Sequence, residues 1–321
     1  MEKIDLSILV PMWNETDVIE TLISRLYKVI KELHECVEVV FVNDGSTDDT
    51  EKQILEKAAI LKYWKLVNLS RNFGQQAAYR AGLDHVVGEA VIFLDADLQD
   101  PPEQIPQLVQ EWKNGAKLVV GCRLSRAETG IRSLLFKGFH ELFFRLTGGI
   151  MPKNSGTFAL IDRIIVDHLK NLPEVNIFLP ALRSWIGYRK TVIYYHRASR
   201  AAGKEKQSFR RLFGYAWDGI TSFSQVPLRA ISLIGFSIAI PSLIYGIILI
   251  VQRIFQFFGF FSHLEVLGFT TISVSIFFIG GIQLICLGIV GEYLGKIYQE
   301  VKSRPKFFVE SIRLPSGKIV N

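Results

Sequence analysis

An α/β domain built on a mainly parallel sheet, followed by two membrane-spanning helices, is the architecture this sequence predicts. Three observations carry it. Short apolar runs alternate with helical patterns through the first 121 residues, polar clusters fall at the ends of those runs, and two long uncharged stretches follow residue 228.

The runs Leu6–Val10, Val37–Val42, Leu66–Leu69, Val91–Leu94 and Leu118–Gly121 read as buried strands. Between the first two, Ile19, Leu22, Ile23, Leu26, Ile30 and Leu33 recur at helical spacing and give one apolar face. Strands alternating with helices make right-handed βαβ units. In such sheets ligands bind beyond the carboxyl ends of the strands. There the sequence places Asn14-Glu15, Asn43-Asp44-Gly45-Ser46 and Asp95-Ala96-Asp97.

The section from about 123 to 227 is less regular. Residues 132–146 and 209–223 carry helical patterns rich in Phe, with Leu in the first and Arg and Trp in the second. They suit either core packing or a membrane interface with the aromatic face down. Further on, Ala230–Gln252 and Val266–Gly291 are 23 and 26 residues without a charge, where about 20 suffice to cross a bilayer. Arg210, Arg211 and Arg229 precede the first span, and Lys296, Lys302, Arg304 and Lys306 follow the second. The loop between holds Arg253 as its only Lys or Arg, so both termini are expected on the cytosolic side. The expected organisation is a cytosolic domain with juxtamembrane helices over 1–227, two membrane helices within 228–295, and a cytosolic tail over 296–321.

Composition agrees. The net charge of +6 is scattered, with no basic run that would track a nucleic acid. A mild basic excess beside apolar spans fits phosphate ligands and anionic headgroups. Cys36, Cys122 and Cys286 are odd in number and far apart, which argues against a disulfide framework or zinc site. The opening apolar run is too short for a signal peptide. Small residues at Gly280-Gly281 and Gly288-x-x-Gly291 would allow close helix packing, including in a homo-oligomer.

Asp95-Ala96-Asp97-Leu98-Gln99 ends an apolar strand with two carboxylates and a side-chain carbonyl, hard oxygen donors suited to Mg²⁺ or Mn²⁺. Such an ion can neutralise the charge that develops on a departing diphosphate. Phosphatases, phosphorelay receivers and simple capping turns also carry an Asp-x-Asp, so its company decides. That company is Val10-Pro11-Met12-Trp13-Asn14-Glu15, Val42-Asn43-Asp44-Gly45-Ser46-Thr47-Asp48, Ser70-Arg71-Asn72-Phe73-Gly74 and Gly121-Cys122-Arg123.

With these motifs the chain resembles the inverting nucleotide-sugar glycosyltransferases of GT-A fold, which is Rossmann-like. Within them it resembles the dolichyl-phosphate mannose synthase and polyisoprenyl-phosphate glycosyltransferase branch. The resemblance runs through both apolar spans to Gly291-Glu292-Tyr293 and Arg304-Pro305. It implies that Pro11, Trp13 and Glu15 hold the nucleoside, with Val42 and Asp44 as a second base and ribose contact. It implies that Asp95 and Ala96 line the nucleotide, and that Asp97 and Gln99, with Asp95, ligate the metal. Asp44 is equally a turn residue ahead of a helix, and Asp48 suits a cap. Arg71 reads either as site-lining or as a surface charge. Arg123 and Arg132 match arginines that meet phosphate oxygens. Arg200, Gly203 and Lys206 match a flexible basic loop, although Glu205 stands where Ser is usual.

Relatives often place an acid near the Gly of Asn154-Ser155-Gly156-Thr157-Phe158; here those positions are Asn154 and Thr157. A phosphate monoester acceptor, with a second pKa of about 6, needs no base. The expected activity is therefore transfer of a hexose from UDP-glucose, or next GDP-mannose, to an undecaprenyl- or dolichyl-type phosphate at the inner cell membrane, serving envelope glycosylation. A processive polysaccharide synthase is the alternative enzyme, although Arg183-Ser184-Trp185 only superficially echoes the motif those enzymes carry. A noncatalytic scaffold is the alternative of another class.

Overall fold

The computed structural model describes residues 3–124, 152, 155–174, 178–196, 226–258 and 269–320. The helical patterns at 132–146 and 209–223, and residues Arg132, Asn154, Arg200 and Lys206, lie outside these. The chain divides into two units, one formed by residues 1–216 with 303–321 and the other by 217–302.

In the first unit the strands are β1 (Leu6–Met12), β2 (Val37–Asn43), β3 (Trp64–Leu69), β4 (Ala90–Phe93), β5 (Leu118–Arg123), β6 (Ser155–Asp162), β7 (Lys190–Tyr195), β8 (Val309–Arg313) and β9 (Ile319–Val320). They form one sheet in the order β7-β5-β6-β4-β1-β2-β3-β8-β9. β1 pairs in parallel with β2 and β4, β2 with β3, and β5 with β7. β6 runs antiparallel to both β4 and β5, and β8 runs antiparallel to β3. The sheet is thus mixed rather than mainly parallel. Its parallel centre, β4-β1-β2-β3, is built from four of the five apolar runs, and the fifth, β5, is set apart from it by the antiparallel β6. The first residues of β6 are the polar Ser155-Gly156-Thr157, which hide its strand character.

The helices of this unit are α1 (Ile19–Glu32), α2 (Thr50–Lys57), α3 (Gln75–His85), α4 (Ile105–Lys113), α5 (Arg163–Asn171) and α6 (Leu179–Trp185). α1 buries Ile19, Leu22, Ile23, Leu26 and Val29, the stripe its spacing predicts. That stripe packs with Leu6, Ile8 and Val10 of β1 and with Val39 and Phe41 of β2 in one core. On the other face α3 lies so close that a Cβ on Gly82 would stand 2.1 Å from Leu9 Cδ1. Helices cover both faces of the central strands, which is why those strands read as continuous apolar runs.

In the second unit α7 (Val226–Phe257) and α8 (Phe269–Lys302) stand where the two spans are expected. Among the described residues, only Phe278–Lys302 is long and apolar enough to cross a membrane, and Leu228–Ser242 is a shorter apolar stretch. Large apolar side chains remain exposed on both helices, Leu233 and Phe236 on α7 and Ile276 and Leu284 on α8. The segment after α8, read from the sequence as a tail, supplies β8 and β9 to the sheet edge.

Candidate active site

The carboxyl ends of β1, β2, β3 and β4 gather the polar clusters on one edge of the sheet. Met12, Asn43 and Asn68 are register partners across β1, β2 and β3, so the chain turns away from all three strands at one level. Two turns need unusual backbone: Asn14 has φ 52° and Leu98 has φ 59°. Non-glycine residues in this region cost about 1–3 kcal/mol and persist where the surroundings impose them, often at functional sites.

Of the residues assigned to the nucleoside, Pro11 and Val42 are buried strand residues and Trp13 is exposed at the end of β1. Glu15 is held through its backbone, its N–H donating to Thr50 Oγ1 at 3.0 Å. Asp44 is 3% exposed, and its two carboxylate oxygens accept from the backbone N–H groups of Phe73 (2.7 Å) and Gly74 (2.9 Å). Burial raises its pKa, and those two bonds oppose the rise. Asp44 is therefore a clamp on the Ser70–Gly74 loop, which the sequence suggested only as a neighbouring motif. Asp48 accepts from the backbone N–H of Thr50 at 3.1 Å, but the N-cap position of α2 is Asp49, whose side chain makes no cap bond. The Arg71 guanidinium stacks 4.1 Å from the centre of the Phe73 ring.

At the end of β4, Asp95, Asp97 and Asp100 lie within six residues. Asp95 Oδ1 accepts from Tyr79 Oη at 2.6 Å and from Gln75 Nε2 at 2.7 Å, both on α3. Burial first, then the negative charge of Asp100, raises the Asp95 pKa to about 6. Asp97 Oδ1 accepts from the Gln99 backbone N–H at 3.1 Å, a bond that the left-handed Leu98 between them shapes. Ala96 is buried beside them. Among the described residues no group of three His, Cys, Asp or Glu side chains is placed to hold a metal ion. Two carboxylates with an amide oxygen are an incomplete shell for a hard cation. They suit one that completes it with water and substrate phosphate. The raised pKa of Asp95 is the strain that such a cation would relieve.

Arg123, at the end of β5, reaches under this turn. Its Nε donates to Asp100 Oδ1 at 3.3 Å and to Tyr195 Oη at 3.4 Å, and its Nη2 donates to Asp100 Oδ2 at 3.2 Å. Tyr195 Oη donates to Asp100 Oδ1 at 2.5 Å. Burial opposes the Arg123 charge, but Asp100 and Tyr195 more than offset it and raise its pKa. Gly156 lies against this guanidinium, and a Cβ there would stand 3.0 Å from Nη2. Two of the three Arg123 nitrogens are thus engaged within the protein, which the motif does not disclose. Behind them Arg183, 1% exposed, donates to the carbonyls of Thr157 (2.5 Å) and Gly156 (2.6 Å), while its Nε has no partner. Burial lowers its pKa to about 10.

The structure brings together Pro11, Trp13, Glu15, Val42, Asp44, Asp95, Ala96, Asp97, Gln99 and Arg123 at the strand ends. Sequence reasoning missed Tyr79, Gln75, Asp100, Tyr195 and Arg183. Only Asp100 carried a signal, as the third carboxylate of Asp95-Ala96-Asp97-Leu98-Gln99-Asp100.

Residues 7–170 match the model of the family described as Glycosyl transferase family 2. An uncharacterized glycosyltransferase of Synechocystis is 42% identical over 310 residues, 96% of this chain and 96% of that protein. The bactoprenol glucosyl transferase of Shigella phage SfX is 40% identical over 311 residues, 95% of this chain and 99% of that protein. A prophage bactoprenol glucosyl transferase homolog of Escherichia coli K12 is 38% identical, covering 96% of this chain and 99% of that protein.

Proposed function

The chain belongs to glycosyl transferase family 2, and from that premise we propose that this glycosyltransferase moves glucose from a nucleotide diphosphate sugar to a polyisoprenyl phosphate, inverting the anomeric carbon. The observation that carries the reading is the likeness to bactoprenol glucosyl transferases over 95% of the chain. That likeness spans the strand-end motifs and both long helices.

In this reading Pro11, Trp13, Glu15, Val42, Asp44 and Ala96 hold the nucleoside of a UDP- or GDP-sugar. Asp95, Asp97 and Gln99 would hold Mg²⁺ or Mn²⁺, which when bound supplies Lewis-acid neutralisation of the diphosphate. A phosphate oxygen of the acceptor forms the new bond to the anomeric carbon. The bond to the donor's β-phosphate oxygen breaks, and the nucleoside diphosphate leaves with the electron pair. Above a second pKa of about 6 the acceptor is already a dianion, so no side chain needs to remove a proton. Arg132, Arg200 and Lys206 meet phosphate oxygens, and Arg123 joins them through Nη1, its other nitrogens being engaged by Asp100 and Tyr195. Catalysis then rests on positioning and charge stabilisation.

We further assign residues 1–227 and 296–321 to the cytosolic side and 228–295 to a two-helix hairpin in the cell membrane. Inverted vesicles, with the cytosolic face outward, should convert added radiolabelled UDP-glucose into a lipid product seen on thin-layer plates. GDP-mannose should give far less, and sealed right-side-out vesicles none. A growing polymer would point instead to a processive synthase, and product from right-side-out vesicles alone would overturn the orientation.

A further inference from the structure

The C-terminal strand β8 enters the same edge of the sheet as the nucleotide motifs. Ser311 is the register partner of Asn68, which extends the row Met12, Asn43 and Asn68 by one strand. Side chains in that row are linked in series. Asn68 Nδ2 donates to Ser311 Oγ at 3.1 Å and Asn43 Nδ2 donates to Asn68 Oδ1 at 3.0 Å. Asn43 Oδ1 in turn accepts from the backbone N–H of Ser46 at 3.0 Å, and Ser46 Oγ accepts from the backbone N–H of Asn14 at 3.0 Å. Asn43 and Asn68 are 5% and 4% exposed and the bond between them is buried, whereas the others in the series are partly buried, and Asn68 Nδ2 is shared with Glu51 Oε1 at 2.8 Å.

A second connection runs through the neighbouring loop. The Ser70 backbone N–H donates to the Phe308 carbonyl at 3.0 Å. The Phe308 ring lies 6.3 Å, centre to centre, from the ring of Phe73. Phe73 and Gly74 supply the two N–H groups on the Asp44 carboxylate. The loop has little freedom on its other side, because Gly45 approaches it so closely that a Cβ would stand 2.3 Å from the Arg71 carbonyl carbon.

We propose that β8 (Val309–Arg313) together with Phe308 just before it is a positioning element for the donor nucleotide, with Phe308 and Ser311 as its working residues. It rests on the reading of Asp44 as a nucleotide contact. Through Phe308 it fixes the loop that aims Asp44, and through Ser311 it fixes the turns after β1 and β2. None of these residues touches the reacting atoms.

The test uses the full chain in detergent with UDP-glucose as donor, comparing Phe308→Ala, Ser311→Ala and Asp44→Ala with the parent and with Phe308→Tyr. Phe308→Ala and Ser311→Ala should each raise the donor KM about tenfold while kcat at saturating donor stays within about twofold. Phe308→Tyr should restore the parental KM. If Asp44→Ala raises the donor KM and neither strand variant does, the proposal falls and the nucleotide reading stands. If Asp44→Ala itself leaves the donor KM unchanged, the nucleotide reading falls and takes the proposal with it. A loss of kcat at constant KM in the strand variants would also overturn the proposal.

Discussion

At the scale of single residues, Asp95 is placed against its own ionisation. Burial and Asp100 lift its pKa to about 6, so the folded protein binds that proton more tightly than an unfolded chain with an ordinary aspartate, near 3.8. Folded-state stability is therefore lost as the pH rises from about 4 to about 6, and it stays lost above that range. Asp95→Asn should raise the melting temperature at pH 7.5, with a smaller gain at pH 4.5, while transfer activity falls by about 10²-fold or more. An equal gain at both pH values would show that the carboxylate is not the source of the strain. The Asp-x-Asp itself was legible because it ends an apolar strand in the company of the motifs at 10–15, 42–48, 70–74 and 121–123. Tyr79 and Tyr195 were not legible: each lies on a helix or strand where an aromatic residue reads as core. Their hydroxyls acquire a role only when the fold brings Asp95 and Asp100 to them.

At the scale of elements, the five apolar runs and the α1 stripe were readable because burial on both faces leaves continuous hydrophobic sequence. β7 and β8 lie towards the sheet edges and are less buried, and their pairing depends on partners far away in sequence, so no local pattern announced them. The turn after β2 shows how strictly such an element can be specified. Gly45 has φ +63° and no room for a Cβ against the Arg71 backbone, whereas Gly115 has φ +95° with nothing within 4 Å. Both substitutions to Ala carry backbone strain of about 1 kcal/mol or more. Gly45→Ala must also displace the Ser70–Gly74 loop. Thermal unfolding should show Gly45→Ala more destabilised than Gly115→Ala, by roughly 1–3 kcal/mol, with Gly45→Ala alone raising the donor KM. Equal losses in the two variants would mean that the loop yields freely.

At the scale of the whole molecule, a sheet that gathers the polar strand-end motifs on one edge is continuous in sequence with two long apolar helices, and the chain returns from the second to complete that sheet. The acceptor is the point on which the account turns. Asn154 and Thr157 provide no carboxylate beside Gly156, while Arg123, Arg132, Arg200 and Lys206 provide cations. A phosphate acceptor brings its own negative oxygen, whereas a hydroxyl would need a base. The most direct measurement offers purified protein polyisoprenyl phosphate and the matching polyisoprenol, each with UDP-glucose and Mg²⁺, and compares glucosyl transfer. Transfer to the phosphate is expected, with an acid limb near the acceptor's second pKa of about 6, and little or none to the alcohol. Transfer to the alcohol at the same rate would contradict it.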